Sequence, residues 1–210
     1  MIAALEQYEA GLLGGRTQVM DRAGRRRAFP VAQWSGAVTA ADEAILGRCS
    51  GPTLDIGCGA GRLTAALGGL GIPALGVDIS AVAVALTIRR GAVALQRNVF
   101  EPLPRTGGWS SLLLADGNIG IGGDPVALLQ RCRALISGDG AILVDLLQPG
   151  SGLLIEELRL VAAGHVSAPF RWCHLGVDVV PAIAARAGLR VAEVWSVDDR
   201  WQAALVGSGR

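Results

Sequence analysis

The residues best suited to chemistry in this sequence are Asp55-Ile56-Gly57-Cys58-Gly59-Ala60-Gly61-Arg62. Glycines at alternate positions let the backbone turn tightly and remove the Cβ atoms that would keep a ligand away from the chain. A dinucleotide-binding loop prefers G-x-G-x-x-G, whose third glycine would fall at position 62, where this chain has Arg62. Asp55, two residues before the first glycine, suits a ligand with a cationic amino group better than one presenting a pyrophosphate. A second acid, Asp78, follows Gly61 by 17 residues in Gly76-Val77-Asp78-Ile79-Ser80. A carboxylate there can accept hydrogen bonds from both hydroxyls of a ribose, which alone does not separate one adenosine ligand from another. Ile79 can lie against an adenine face, and Ser80 can cap the helix that follows.

Elements that could position these residues follow from the pattern around them. Strand Thr53–Ile56 leads through the glycine loop to helix Arg62–Leu70. Strand Ala74–Asp78, helix Ala81–Arg90 and a short strand near Val93–Gln96 come next. A fourth strand, Ser111–Ala115, precedes a helix opened by Asp124-Pro125, and Gly138-Asp139-Gly140 turns the chain into strand Ala141–Leu147. Such alternation calls for a parallel sheet with helices on both faces, and right-handed crossovers make it doubly wound. Upstream, residues 1–15 read as an amphipathic helix, Arg16–Val31 as a hairpin, and Thr39 with Asp42 as a helix N-cap box. Downstream the pattern predicts a helix over Leu153–Ala163, a loop through Trp172 and a helix from Val179 to Ala187. An antiparallel pair, Leu189–Val197 and Arg200–Val206, ends the sheet. Residues 1–50 thus read as an N-terminal decoration and 51–210 as the ligand-binding domain.

Composition narrows the function further. Of 210 residues 51% are hydrophobic, yet Gly, Pro, Arg or Asp interrupts every apolar stretch before a bilayer span is reached. Met1 to Gly15 carries no basic residue, so it lacks the charged start of a secretory signal, and the chain reads as cytoplasmic. A net charge of +1 gives no field for nucleic acid, which favours a small-molecule partner. All 19 basic residues are Arg, so lysine Schiff-base chemistry is excluded. Cys49, Cys58, Cys132 and Cys173 form no C-x-x-C pair and read as reduced and structural.

Taken in order, these motifs resemble the class I S-adenosylmethionine-dependent methyltransferases, over roughly Thr53 to Leu147 with weaker support to Val206. Asp55-x-Gly57-x-Gly59-x-Gly61 looks like the family's first motif, and Asp78 stands at its ribose-binding acid. Asn98-Val99 stands where the family usually places an acid and an apolar residue beside the adenine. Asn departs from the commoner Asp there, but its amide can still bond the adenine amino group. Leu135-Ile136-Ser137-Gly138-Asp139-Gly140-Ala141 resembles the entry to the family's fifth strand, and Ala187-Gly188-Leu189 the entry to its sixth. The resemblance implies a Rossmann-like fold with S-adenosylmethionine as cofactor and S-adenosylhomocysteine as product. It also implies a cofactor site that includes Ala115 at the end of the fourth strand.

On the acceptor side the loop Ala115–Gly123 should lie beside the transferred methyl group, and its Asp116 and Asn118 can orient an acceptor or serve as ordinary turn residues. His165 and His174 fall in the segment expected to cover the acceptor pocket. His174 is the stronger base candidate because Phe170, Arg171 and Trp172 adjoin it. Trp34 reads either as part of the same lid or as a core residue. Arg25-Arg26-Arg27 reads as a solvated edge that discourages strand pairing. Asp116 and Asp145 give no diagnostic ligand spacing, so no metal is expected. The predicted acceptor pocket lies between the 116–123 loop and the 170–174 segment. Two further readings remain open, a non-catalytic S-adenosylmethionine-binding partner protein and an NAD-linked oxidoreductase.

Overall fold

A computed structural model describes residues 2–209; Met1 and Arg210, the outermost residues of the two predicted segments, lie outside them. The chain opens with α1 (Ile2–Leu12) and a hairpin of β1 (Thr17–Met20) and β2 (Arg26–Ala28). Asp21 closes that hairpin by accepting the N–H groups of Ala23 and Arg25, each at 2.9 Å. Then come α2 (Val31–Ser35) and α3 (Ala40–Leu46), the latter opened by the expected reciprocal cap between Thr39 and Asp42.

Next follow β3 (Thr53–Ile56), α4 (Arg62–Gly69), β4 (Ala74–Asp78), α5 (Ala81–Arg89), β5 (Ala94–Gln96) and β6 (Trp109–Leu114). A tight 3-10 turn, Asn118–Gly123, leads into α6 (Pro125–Leu135), where Asp124 accepts the N–H groups of Val126 and Ala127. After β7 (Ile136–Leu146) the chain forms β8 (Leu153–Ala162), β9 (His165–Val166) and β10 (Phe170–Leu175). It ends with α7 (Val180–Arg186), β11 (Leu189–Val197) and β12 (Arg200–Gly207).

Seven strands make the main sheet in the order β11-β12-β7-β6-β3-β4-β5, parallel except for β12, which pairs antiparallel with both β11 and β7. Alternate residues of β6 supply its two faces: Leu112 and Leu114 join α6 residues Leu128, Leu129 and Cys132, whereas Leu113 packs with Ile45 and Leu67. Strand order reverses between β3 and β6, and ligands of open α/β sheets collect outside such a reversal. The expected doubly wound sheet with its terminal antiparallel pair is therefore present. β7 begins earlier than expected: Ile136 already pairs with Trp109, and a register shift absorbs the residues up to Ala141.

Downstream of β7 the structure differs from the sequence reading. Leu153–Ala162 is a strand rather than a helix, and the segment through Trp172 is the strand β10 rather than a loop. With β1 and β2 they form a second, antiparallel sheet ordered β10-β8-β1-β2, with β9 added to β8. Leu, Glu and Arg favour a helix over 153–162 in isolation. Here the strand is held on both sides by distant segments, Thr17↔Ala162 on one and Phe170↔Leu158 on the other, while Leu158 and Leu160 are buried with a period of two. No helix among the described residues is long and apolar enough to cross a membrane.

Candidate active site

The glycine loop leaves β3 and enters α4 with Gly57, Gly59 and Gly61 all at positive φ, between 53° and 81°. Their surroundings differ. A Cβ at Gly57 would meet the Asn118 amide at 2.8 Å, and one at Gly61 would meet Thr87 at 2.6 Å. At Gly59 the nearest atom to such a Cβ is the Tyr8 hydroxyl at 3.5 Å, so this glycine faces open space. Gly57 and Gly61 are thus required by the protein's own packing, and Gly61, unlike the other two, does not line the cavity. Asn118, an acceptor-orienting candidate, is occupied otherwise: its Nδ2 donates to the carbonyls of Ile56 (2.8 Å) and Gly57 (3.0 Å), pinning the loop.

Asp55 is buried at the end of β3 and accepts the Thr64 hydroxyl at 2.6 Å. Burial pushes its carboxyl up to about 6, with the Thr64 bond and Arg62 opposing and the charges of Asp116 and Asp78 adding to the rise. Asp78, at the end of β4, accepts Gly59 N–H (3.1 Å) and the Tyr8 hydroxyl (3.3 Å) on one oxygen and Ser80 N–H (2.9 Å) on the other. Burial raises its pKa too, against those bonds. Ser80 caps α5, as expected, and donates its hydroxyl to Glu9 at 2.8 Å. Tyr8 and Glu9 both belong to α1, so this N-terminal helix is latched across the mouth of β4. Ile79, Asn98, Val99 and Ala115 line the same cavity, and Asn98 Oδ1 accepts Phe100 N–H at 3.1 Å.

Asp116 is a member of a buried ion cluster that the sequence did not reveal. Arg62 from α4 bridges Asp42 and Asp116, the latter at 2.7 Å, and Arg200 from β12 joins Asp42 (2.9 Å), Asp116 (3.4 Å) and Asp145. Asp145 in turn accepts Asp116 N–H at 2.6 Å. Three carboxylates face two guanidiniums, so the cluster holds one more acid than base. No short motif could have announced it, since Asp42, Arg62, Asp116, Asp145 and Arg200 come from five separate elements or loops.

Gly57, Gly59, Asp55, Asp78 and the ion cluster all line one cavity of about 1430 Å³, beyond the roughly 300–1,000 Å³ of a pocket for a single ligand. The second sheet covers its other side. β10 lies directly on the 118–123 turn: a Cβ at Gly120 would collide with the Trp172 indole, and one at Gly123 would meet the Arg171 side chain at 2.5 Å. The two segments named as the acceptor pocket are therefore in contact. His174 lines the cavity, with Nε2 buried at 2.9 Å from Glu156 Oε2, a close approach without the alignment of a formed hydrogen bond. Its neighbour Leu175 accepts the N–H of Leu147 at 2.9 Å, which holds this end of β10 beside the carboxyl end of β7. His165 is exposed on β9 and does not line the cavity. Trp34 lines it and stacks edge-on against Phe29. All four cysteines are free and buried, and burial pushes the Cys173 thiol up to about 11. Among the described residues no cluster of potential metal ligands occurs.

No family model matches the chain, and no curated protein matches it by sequence. Solved structures do match it in shape. An S-adenosylmethionine-dependent methyltransferase from Bacteroides fragilis, in complex with S-adenosyl-L-homocysteine, superposes with a TM-score of 0.82 at 21% identity. The match covers 99% of this chain and 95% of that one. The CcbJ methyltransferase from Streptomyces caelestis (TM-score 0.64, 16% identity) covers 84% and 92% of the two chains. The glycopeptide N-methyltransferase MtfA in complex with S-adenosyl-L-methionine (TM-score 0.63, 16% identity) covers 82% and 95%. Together with the strand order and the loop geometry, these matches show that the chain has the fold of the class I S-adenosylmethionine-dependent methyltransferases.

Proposed function

We propose that this protein is an S-adenosylmethionine-dependent methyltransferase acting on a small-molecule acceptor. The observation that carries this reading is the open space in front of Gly59, bounded by Asp78 and the negative ion cluster at the strand-order reversal. A ligand with a ribose and two cationic centres fits such a surface, whereas a pyrophosphate would meet the carboxylates of Asp55, Asp78 and Asp116. Asp78 would hold the ribose hydroxyls, with Ile79 and Val99 as apolar walls for adenine and the Asn98 amide as its polar partner. Gly59 admits the methionine portion, with the Gly57 backbone beside it, near Asp55 and the cluster. When bound, the cofactor supplies a methyl carbon made electrophilic by its sulfonium, and S-adenosylhomocysteine is released.

The chain's own task is to hold the acceptor about 3–3.5 Å from that carbon, in line, and to take up any proton the acceptor carries. His174, supported by Glu156, is the proton acceptor in this reading. Asp116 is not, because both of its oxygens face guanidinium groups, so its part is to anchor the loop. Calorimetric titration tests the proposal directly. S-adenosylhomocysteine should bind and NAD should not, and the opposite pattern would return the chain to the oxidoreductases. Binding without methylation of any acceptor in a metabolite pool would leave a non-catalytic binding protein.

A further inference from the structure

The inner face of the antiparallel sheet defines the acceptor more closely than its size does. Directly paired residues share a face, so Val19 and Leu160, and Phe170 and Leu158, form one continuous apolar surface. Val19, Leu158 and Leu160 are buried, and Phe29, Phe170 and Trp172 pack around them. Phe170 and Trp172 meet edge to face, with ring centroids 6.3 Å apart and planes at 87°. The charged side chains of this face gather at one end, where Glu156 Oε2 contacts both His174 (2.9 Å) and Arg27 (3.4 Å). A polyol or a peptide laid here would have its polar groups stripped of water against hydrocarbon, at roughly 1–3 kcal/mol for each unsatisfied group. A flat ring with one ionisable substituent would leave none unpaired.

Building on the methyltransferase reading, we propose that the acceptor is a planar aromatic compound bearing a phenol-type hydroxyl. Its rings lie against Phe170 and Trp172, which are backed by the buried Leu158 and Leu160, and its hydroxyl is directed to His174. A phenol with a pKa of about 10 is neutral near pH 7, so its oxygen becomes a strong nucleophile only as the proton leaves. Nδ1 of His174, the ring nitrogen turned away from Glu156, takes that proton while an oxygen lone pair forms the new O–CH3 bond. The S–CH3 bonding pair stays on sulfur, and the products are an aryl methyl ether, S-adenosylhomocysteine and a protonated histidine.

Binding of 4-phenylphenol to the full chain, followed by tryptophan fluorescence and calorimetry with and without S-adenosylhomocysteine, tests this class apart from activity. 4-Phenylphenol should bind at micromolar concentrations and methyl α-glucoside should not. Trp172→Leu and, separately, Phe170→Ser should each weaken 4-phenylphenol binding by about 5-fold or more while leaving S-adenosylhomocysteine affinity unchanged, which also certifies their folding. No binding of 4-phenylphenol at millimolar concentration by a protein that binds S-adenosylhomocysteine would overturn the aromatic class and leave the methyltransferase reading standing. Binding of 4-phenylphenol by a protein indifferent to S-adenosylhomocysteine would support the aromatic pocket and remove that reading. Preferential binding of the glucoside would overturn the proposal.

Discussion

The carboxyl end of the parallel sheet and the inner face of the antiparallel sheet meet the same cavity with different means. On the first, backbone and buried charge do the work: Gly59 at positive φ, Asp78 fixed by three donors, and guanidiniums held among carboxylates. On the second, aliphatic and aromatic side chains make the surface and Glu156, with His174 and Arg27 beside it, supplies polarity. The first surface is specific because few ligands satisfy its fixed groups. In the proposed reading the second selects by shape and dryness, a weaker discrimination that tolerates substitution. A methyltransferase that keeps one donor and adapts to an acceptor would divide its cavity in this way.

The largest effect should come from filling the open space at Gly59. Gly59→Val places a branched side chain at φ 53° where the ligand would lie, and S-adenosylhomocysteine binding should fall below detection in calorimetry with the fold retained by circular dichroism. Near-normal affinity would move the cofactor away from this loop. His174→Ala should affect the other surface alone: turnover falls roughly 10²–10⁴-fold if the imidazole is the base, with S-adenosylhomocysteine affinity unchanged. If His174 only shapes the pocket, KM rises instead, and wild-type kinetics would remove it from the reaction.

The same contrast explains what could be read from the amino-acid order. Asp55, Gly57, Gly59 and Asp78 lie within 24 residues, and their spacing alone marks a strand, a turn and a helix. Even there the three glycines divide their tasks: all three take the left-handed turn that their spacing predicts, but a side chain at Gly61 would meet Thr87 of the next helix rather than a ligand. The antiparallel sheet joins Thr17 to Ala162, and such pairing leaves no local trace beyond an alternation that Leu153, Leu154 and Ile155 blur at the strand's start. The ion cluster is equally silent, since an acid or an arginine in isolation says nothing of its partner. Tyr8 was missed for the same reason, 70 residues from the Asp78 carboxylate that it touches.

A smaller effect should follow from Asp78→Ala. Loss of charge-assisted bonds to ribose should weaken S-adenosylhomocysteine binding about 10–150-fold. The structure adds a consequence, because the same carboxylate holds Gly59 N–H and the Tyr8 hydroxyl. Tyr8→Phe separates the two contributions. It removes only the latch from α1 and should change affinity by less than about 10-fold, whereas an effect equal to that of Asp78→Ala would make the latch, not the ribose, the main task of this acid.

The smallest expected effect concerns stability and returns to Asp55. In the folded chain its carboxyl stands at about 6 because burial disfavours the charged form; in the unfolded chain it is near 3.9. Between those values the folded state holds a proton that the unfolded state has released, so stability falls as pH rises from about 4 to about 6 and is then level with respect to this group. The full difference is about 3 kcal/mol, an upper limit because solvent and neighbouring side chains relax around the charge. Asp55→Asn abolishes the titration while keeping an oxygen for the Thr64 hydroxyl. The variant should therefore be the more stable protein at pH 7–8, by about 1–2 kcal/mol in urea unfolding, and the gain should vanish near pH 4. Its S-adenosylhomocysteine affinity should drop if, as proposed, the charge that costs stability also faces the ligand's amino group. A stability difference independent of pH would show that Asp55 keeps its ordinary carboxylate pKa in the folded chain, so that it adds its charge to the parallel-sheet surface even at low pH.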